Sequence, residues 1–344
     1  MRRIGILFFV AVIASAFMAH SGNEVYFSIP AFWPKPEYNF SKNPLSQEKV
    51  QLGRALFYDP LLSADNTISC ASCHSQYNAF AHSDHKLSHG IADQIGTRNA
   101  PALQNLAWGS SFMWDGSAHH LDAQALAPLT NPIEMNETLA HVVEKLQKSG
   151  KYPKAFYAAY GDSIVTGQRT LQALSQFMVT LVSSNSKYDK VMRKEKGFAF
   201  SESESKGYLL FKENCASCHK EPLFTNGKFE NNGLQPDSLL KDIGRMKITG
   251  SRKDSLLFKV PSLRNVEVSY PYMHDGRFAN LQMVLFHYTN GIHQSKTLPK
   301  QLRKNMVLSE DDKRCLISFL KTLTDEEFLR KKNYSYPKEF LSGR

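Results

Sequence analysis

Apolar residues recur at helical spacing along most of the chain. The clearest case follows Ser309, where acidic residues fill a first turn and apolar residues stand at Leu316, Phe319, Leu320 and Leu323. A serine N-cap, a negatively charged first turn and apolar spacings of three and four predict an amphipathic helix. No segment sustains the apolar–polar alternation of a strand, so the pattern predicts an all-α chain with long irregular loops.

A second helix is predicted between Asn136 and Gly150. Its apolar positions include Leu139, Val142 and Leu146, with Asn136 as the expected N-cap and Gly150 as the expected stop. Residues 76–100 lack such a pattern and are rich in Gly, Asp, Ser and His. A loop of that length within a compact domain is typical of a functional segment.

The chain repeats part of its own sequence. Gly53–Phe57 matches Gly207–Phe211, each on a predicted helix. Further matches share a constant offset of 160 residues, and they are Pro101–Asn105 with Pro261–Asn265, Met113–Gly116 with Met273–Gly276, and Leu121 with Leu281. The repetition predicts two related domains, residues 40–195 and 196–344, joined through a polar stretch near 190–205.

Cysteine and histidine give the two halves their chemistry. The motif Cys-Ala-Ser-Cys-His occurs twice. The first copy places Cys70 and Cys73 before His74, and the second places Cys215 and Cys218 before His219. In this motif the two thiols add to the vinyl groups of a porphyrin, and the histidine then ligates the iron from one face. Two covalently bound haem c groups are therefore predicted. The fifth cysteine lies on the helix after Ser309, where a small buried side chain is expected.

The N-terminus is typical of an exported protein. Residues 1–22 contain two arginines, then an apolar run from Ile4 to Ala19 that is short for a membrane span. Cleavage is expected after Ala16 or Ser21, with an uncleaved N-terminal anchor as the alternative. Because haem c is attached outside the bacterial cytoplasm, the sequence predicts a periplasmic protein.

The 344 residues carry a formal net charge of +10. The basic residues are spread along the chain without a recognised nucleic-acid-binding motif, so no nucleic-acid partner is predicted. The charge either steers an acidic electron-donor protein or belongs to an ordinary solvated surface.

The two halves differ at one position over the haem. With the offset of 160 residues, Tyr288 of the second half falls opposite Pro128 of the first. A tyrosine oxygen can ligate iron, whereas proline has no side-chain donor, so the first haem is predicted to keep an open face. Gln124 and Glu134 flank Pro128. A carboxyl group there is able to move protons during O–O cleavage, and the amide to orient a peroxide.

Three stretches carry a resemblance to a known family. They are Phe112–Gly116 followed by Gln124, Pro128 and Glu134; Gly96–Pro101; and Phe258–Asn265 followed by Tyr270–Gly276. In combination they resemble the signature of the bacterial di-haem cytochrome c peroxidases and the related MauG-like enzymes. The resemblance covers residues 45–330.

The resemblance implies a role for each half. The His74 haem would be the peroxidatic centre, with Glu134 and Gln124 as its distal catalytic pair, and the His219 haem would receive electrons. Trp114 matches the tryptophan between the two haems. The family also binds calcium between its domains, and the matching positions here are Asn99, Ser269 and Pro271.

The chain departs from the family at the blocking histidine. In peroxidases that need reductive activation, a loop histidine closes the first haem, and Ile91 stands at that position here. His82, His85 and His89 lie in the same loop as possible substitutes. We predict a first haem that is five-coordinate or water-bound.

The sixth ligand of the second haem distinguishes two branches of the family, with methionine in the peroxidases and tyrosine in the MauG-like enzymes. The matching residue is Tyr288. Met283 is the nearest methionine and the alternative ligand, and Met273 and His287 are weaker candidates.

Three functions follow as hypotheses. The first is an exported peroxidase that reduces hydrogen peroxide with electrons from a small cytochrome c or cupredoxin. The second is a MauG-like oxidase of a partner protein or organic substrate. The third is a non-enzymatic electron carrier, against which an open, acid-equipped face argues. A homodimer is possible in each case.

Overall fold

The computed structural model describes residues 27–342, so the predicted export signal at residues 1–22 lies outside the described range. Within that range the chain is mainly helical, which confirms the all-α prediction. Its two strands, β1 (Phe229–Glu230) and β2 (Phe258–Lys259), form one short antiparallel pair with Phe229 opposite Lys259. None of the helices described is long and apolar enough to cross a membrane.

Fourteen α-helices lie in the described range. Those of the first half are α1 (Gln47–Tyr58), α2 (Cys70–Cys73), α3 (Leu121–Gln124), α4 (Leu126–Thr130), α5 (Leu139–Lys148), α6 (Tyr152–Tyr160), α7 (Gly167–Val179) and α8 (Lys187–Met192). Those of the second half are α9 (Glu202–Asn214), α10 (Met246–Thr249), α11 (Leu281–Asn290), α12 (Glu310–Lys321), α13 (Glu326–Arg330) and α14 (Lys338–Leu341). Short 3₁₀ turns occupy Pro60–Leu62, Gln76–Asn78, Ile91–Asp93, Leu106–Trp108, Arg252–Asp254, Lys300–Leu302 and Lys332–Tyr334.

The same helix crossing occurs in each half. In the first, α1 crosses α7, where a methyl group on Gly53 would lie 1.8 Å from the Ala173 carbonyl oxygen. In the second, α9 crosses α12, where a methyl group on Gly207 would lie 2.0 Å from the Cys315 carbonyl oxygen. Both glycines let two backbones touch. The helices predicted around these glycines and after Ser309 are confirmed, and the Cys315 side chain is buried.

Two aromatic-rich cores fill the molecule. The core of the first half includes Phe57, Phe80 and Phe177, and that of the second centres on Phe319. The segment after α12 returns to the first half, because Phe328 belongs to the first core and lies 5.9 Å from Phe80 between ring centroids. The carboxyl-terminal helices therefore tie the two halves together.

The repeated segments meet each other at the contact between the halves. The Gln104 amide donates to the backbone carbonyl of Arg264 at 2.9 Å, and these two residues are 160 positions apart. The Asn105 side chain accepts from the Ser183 backbone at 2.9 Å, and the Asn265 side chain donates to the Ser183 hydroxyl at 3.0 Å. Equivalent positions of the two repeated segments thus contact each other where the halves meet.

The side chain of Arg264 forms a buried ion pair. Arg264 is fully buried and makes two hydrogen bonds to Asp189, at 2.8 and 2.9 Å. Burial acts to raise the pKa of Asp189, but the hydrogen bonds and charge of Arg264 outweigh it and hold that pKa below its ordinary value. The pair joins α8 to the second half.

One predicted helix boundary is wrong. Asn136 does not cap α5, because its φ of 47° is left-handed rather than extended. Thr138 is the N-cap, with extended backbone and a hydroxyl that accepts from the His141 amide at 3.2 Å, and Ser149 follows the last turn. The Ser309 cap is confirmed, since its hydroxyl accepts from the Asp312 amide at 3.1 Å.

Candidate di-haem site

A cavity of about 820 Å³ lies between the two halves of the described chain. It is lined by most residues of the two haem motifs, namely Cys73, His74, Cys215, Cys218 and His219. The remaining thiol, Cys70, packs at the edge of the first core. All four motif thiols are free of disulfides, so each is available for a thioether bond.

The two motif histidines are held ready to ligate metal. His74 donates from Nδ1 to the Phe80 carbonyl at 2.7 Å, and His219 lies with Nδ1 3.2 Å from the carbonyls of both Phe224 and Pro261. A proton on Nδ1 leaves the Nε2 lone pair for iron. Burial lowers the pKa of both imidazoles to about 4, so the neutral, ligating form is favoured. These residues fit one covalently bound haem in each half.

One carbonyl beside each motif histidine belongs to a phenylalanine with a left-handed backbone. Phe80 has a φ of 59° and Phe224 a φ of 54°, both in the left-handed region that bulky residues rarely adopt. Such outliers persist only where surrounding contacts enforce them, and both phenylalanine rings are fully buried in the cores. The strain thus coincides with the backbone that orients each imidazole.

The predicted distal residues come together on the wall of the first half. Gln124 ends α3, Pro128 lies in α4, and Glu134 follows in the next turn; all three line the cavity with Cys73 and His74. Glu134 accepts a hydrogen bond from the Asn131 amide at 2.8 Å. Burial raises the pKa of Glu134, and the Asn131 hydrogen bond offsets part of that increase.

Trp114 links the two halves through its own polar atoms. Its indole N–H donates to the Asn99 carbonyl at 2.8 Å, and its carbonyl accepts from the Lys259 amide at 2.7 Å. The backbone N–H of Asn99 in turn donates to the His274 carbonyl at 2.7 Å. Trp114 also lines the cavity.

The candidate sixth ligands of the second haem lie in different places. Tyr288 is on the face of α11 that lines the cavity, and burial raises its pKa. Met283 is on the opposite face of the same helix and is 41% exposed. Met273 lines the cavity with its sulfur 3.1 Å from the Asn232 amide, while His287 is buried and its Nε2 lies 3.0 Å from the Asn232 carbonyl.

All three positions predicted to hold calcium line the cavity, and they are Asn99, Ser269 and Pro271. The side-chain amide nitrogen of Asn99 donates to the Lys86 carbonyl at 3.0 Å. Across residues 27–342, no group of three or more His, Cys, Asp or Glu side chains is arranged to hold a metal ion. The predicted set relies instead on amide and carbonyl oxygens.

The loop histidines contact each other rather than the cavity. Nε2 of His82 lies 3.1 Å from Nδ1 of His85, and the His85 and His89 rings stack with centroids 4.2 Å apart. None of the three is among the described residues that line the cavity. Ile91, at the position of the blocking histidine, is buried, and its amide donates to the Glu134 carbonyl at 2.9 Å.

Two polar residues of the site carried no role in the sequence analysis. Asn131 was missed, although its position three residues before Glu134 in a turn was a usable signal. Arg98 was also missed; it binds Asp242 of the second half through two hydrogen bonds, at 2.6 and 2.9 Å, and Asp115 of the first at 2.6 Å. Its partners are distant in sequence, so only the fold reveals that it joins the halves.

The chain is similar to known proteins over nearly all of its described length. The family model for di-haem cytochrome c peroxidase matches residues 47–197, and that for cytochrome c matches residues 204–324. The methylamine utilization protein MauG of Methylorubrum extorquens is 37% identical, covering 83% of this chain and 80% of that protein. The cytochrome c551 peroxidase of Nitrosomonas europaea is 35% identical, covering 83% and 82%.

A solved structure agrees with these relatives. The crystal structure of a MauG-like protein associated with microbial copper homeostasis superposes with a TM-score of 0.82 at 30% identity, covering 91% of this chain and 99% of that one. The predicted family resemblance is confirmed by both the sequence and the fold. With a haem motif in each half and relatives of both names, the chain belongs to the di-haem cytochrome c peroxidase family.

Proposed function

We propose that this chain is a peroxidase that reduces hydrogen peroxide to two molecules of water at the first haem, consuming two electrons and two protons. The observation that carries the proposal is that Gln124, Pro128 and Glu134 all line the cavity that His74 also lines. Relatives named as cytochrome c peroxidases, among them that of Nitrosomonas europaea, also support it.

The bound haem iron supplies the coordination site and the electrons for O–O cleavage. Glu134 takes a proton from the nearer peroxide oxygen and returns it to the departing oxygen, and the raised pKa of this carboxyl suits a group that must do both. The Gln124 amide orients the peroxide by hydrogen bonding. Pro128 keeps the distal face free of a side-chain ligand.

Cys215 and Cys218 would attach the second haem and His219 would ligate it, with Tyr288 as a further proposed ligand. Bound there, this haem would supply electrons to the first. Trp114 lies between the halves as the bridge. The proposed electron donor is a small cytochrome c or cupredoxin. The proposed location is the periplasm, because an exported haem c protein would meet such a donor there.

Calcium is a further proposed component, held by the Asn99 side chain and the carbonyls of Ser269 and Pro271. Oxygen donors of this kind suit calcium. Chelation of calcium from the purified protein is expected to slow electron transfer between the haems. A homodimer is proposed from the family resemblance, and sedimentation measures it.

Stopped-flow absorption tests the proposal. The oxidised protein is mixed with an equimolar amount of hydrogen peroxide, and the experiment is repeated after one electron equivalent has been added. Because no loop histidine lines the cavity, we expect the fully oxidised protein to react. Reaction only after one-electron reduction would mean that a ligand closes the first haem, and no reaction in either state would refute the peroxidase.

A MauG-like oxidase is the second candidate. The Tyr288 side chain on the cavity wall favours it, because the resemblance associates tyrosine with that branch. In that case peroxide would be consumed while a partner protein or organic molecule is oxidised, and peroxide turnover with a reduced cytochrome would be slow. Measuring peroxide consumption in one assay, first with a reduced cytochrome and then with an oxidisable partner protein or organic molecule, distinguishes the two candidates.

A further inference from the structure

Lys259 places a cation in the wall of the haem cavity. It belongs to β2, and its backbone amide is fixed by the Trp114 carbonyl at 2.7 Å. Lys259 lines the cavity together with the haem motifs. The position is therefore set from both halves of the molecule, close to the proposed electron bridge.

Lys259 has no anionic partner among residues 27–342. None of the ion pairs in this range includes it, and burial alone lowers the pKa of its ammonium group, with no neighbouring charge acting on it. The half-buried Arg98 and the buried Arg264 differ from Lys259, because Arg98 is held by Asp115 and Asp242 and Arg264 is held by Asp189. A cation in such a wall is costly unless an anion pairs with it.

The chain beyond Lys259 leads directly to the second haem ligand. The carbonyl oxygen of Pro261, two residues further on, lies 3.2 Å from Nδ1 of His219. The Thr225 hydroxyl fixes the intervening carbonyl of Val260 at 2.6 Å. Residues 259–261 thus lead to His219, the residue that would hold the second haem.

The chemistry of the cofactor provides the missing anion. A haem carries its two propionate carboxylates on the edge opposite its vinyl groups, and the cysteines of the motif fix the vinyl edge. We propose that Lys259 is a haem-binding residue whose ammonium group pairs with a propionate of the His219 haem beside Trp114. By placing a positive charge next to that haem, Lys259 favours its reduced state and so readies it to accept electrons.

Spectroelectrochemical titration of the purified di-haem protein tests this proposal. In Lys259→Met we expect the reduction equilibrium of the second haem to shift at least tenfold toward the oxidised form, which is a midpoint about 59 mV lower for one electron. Lys259→Arg keeps the charge and is expected to titrate like the wild type. The exposed Lys253→Met, in the same half, is the matched control and is expected to cause no shift.

Each outcome decides the question. Unchanged midpoints in Lys259→Met, with both haems attached, would overturn the proposal. If Lys259→Met and Lys259→Gln fail to retain the second haem while Lys259→Arg retains it, the required charge is confirmed. Loss of that haem in all three variants would overturn the proposal, because Arg supplies the same charge. The titration uses no peroxide, so its result is independent of the proposed peroxidase activity.

Discussion

Glu134 is the residue whose surroundings bear most directly on the chemistry. Burial raises the pKa of its carboxyl, while the Asn131 amide at 2.8 Å favours the ionised form. These opposing influences keep the group able both to accept and to donate a proton. A single hydrogen bond from a neighbouring turn thus adjusts the proposed acid–base residue.

Glu134→Gln tests that role. Glutamine keeps the size and the hydrogen bond from Asn131 but cannot accept the proton, so peroxide turnover is expected to fall by about 10²–10⁴-fold. The absorption of both haems should stay unchanged. Steady-state peroxide reduction measures the effect, with the exposed Glu144→Gln as the control. Equal turnover in the two variants would remove Glu134 from the mechanism.

Asn131→Ala tests the pH dependence. Losing the hydrogen bond to the carboxylate raises the pKa of Glu134 further. The ionised form accepts the proton, so the rate increases with pH through this pKa, and the acidic limb of kcat/KM is expected to move to higher pH. The profile is recorded for wild type and variant at a fixed donor concentration. A limb that stays in place would mean that another group controls it.

For single residues, the sequence predicts which side chains bond to haem, but not how the histidine rings are oriented. Haem attachment requires two cysteines and a histidine at one fixed spacing, so the spacing alone identifies these residues. The carbonyls of Phe80 and Phe224 orient the imidazoles, yet any residue carries a carbonyl, so no side-chain pattern marks them.

Among the elements, the two glycine crossings decide how closely helices approach. The crossing of α9 and α12 brings Gly207 against the Cys315 carbonyl, and that of α1 and α7 brings Gly53 against the Ala173 carbonyl. Each crossing supports the core beside one haem motif. The arrangement leaves no space for even one methyl group.

Gly207→Ala is expected to destabilise the protein. Overpacking costs roughly 1–3 kcal/mol and occasionally more, and a backbone contact that cannot rotate away places this variant at the upper end. Guanidinium unfolding of the di-haem protein measures the free energy. The control is Gly150→Ala, whose added methyl group meets nothing within 4 Å. Equal stability of both variants would contradict the close crossing.

Helix positions were predictable because apolar spacing reflects burial on one face. The boundary at Asn136 was not, because asparagine serves both as an N-cap and as a left-handed residue, and only the local backbone distinguishes the two. The return of Phe328 to the first core was equally hidden. An apolar residue reveals that it is buried but not which core buries it.

For the whole molecule, the pairing of Asp189 with Arg264 is the buried ion pair that anchors α8 to the second half. It is buried and bidentate. Removing one partner leaves an unpaired charge in the interior, which is far more costly than losing a surface pair.

Asp189→Asn is therefore expected to lower the free energy of unfolding by about 3–5 kcal/mol. Asp162→Asn breaks a surface pair with Arg169 and should cost no more than about 1 kcal/mol. Chemical denaturation followed by haem absorption and by circular dichroism compares them. Similar losses in the two variants would show that the buried pair contributes no more to stability than a surface pair.

The meeting of Gln104 with Arg264 has a consequence for how such a molecule can diversify. Contacts between equivalent residues are typical of the interface of a symmetric homodimer, and here both residues belong to one chain. Two identical subunits must carry identical centres, so a change that opens one opens both. Joining the halves covalently removes that constraint. One centre is then free to carry proline and the other tyrosine. The two halves of a single polypeptide can therefore take different functions, which two identical subunits cannot.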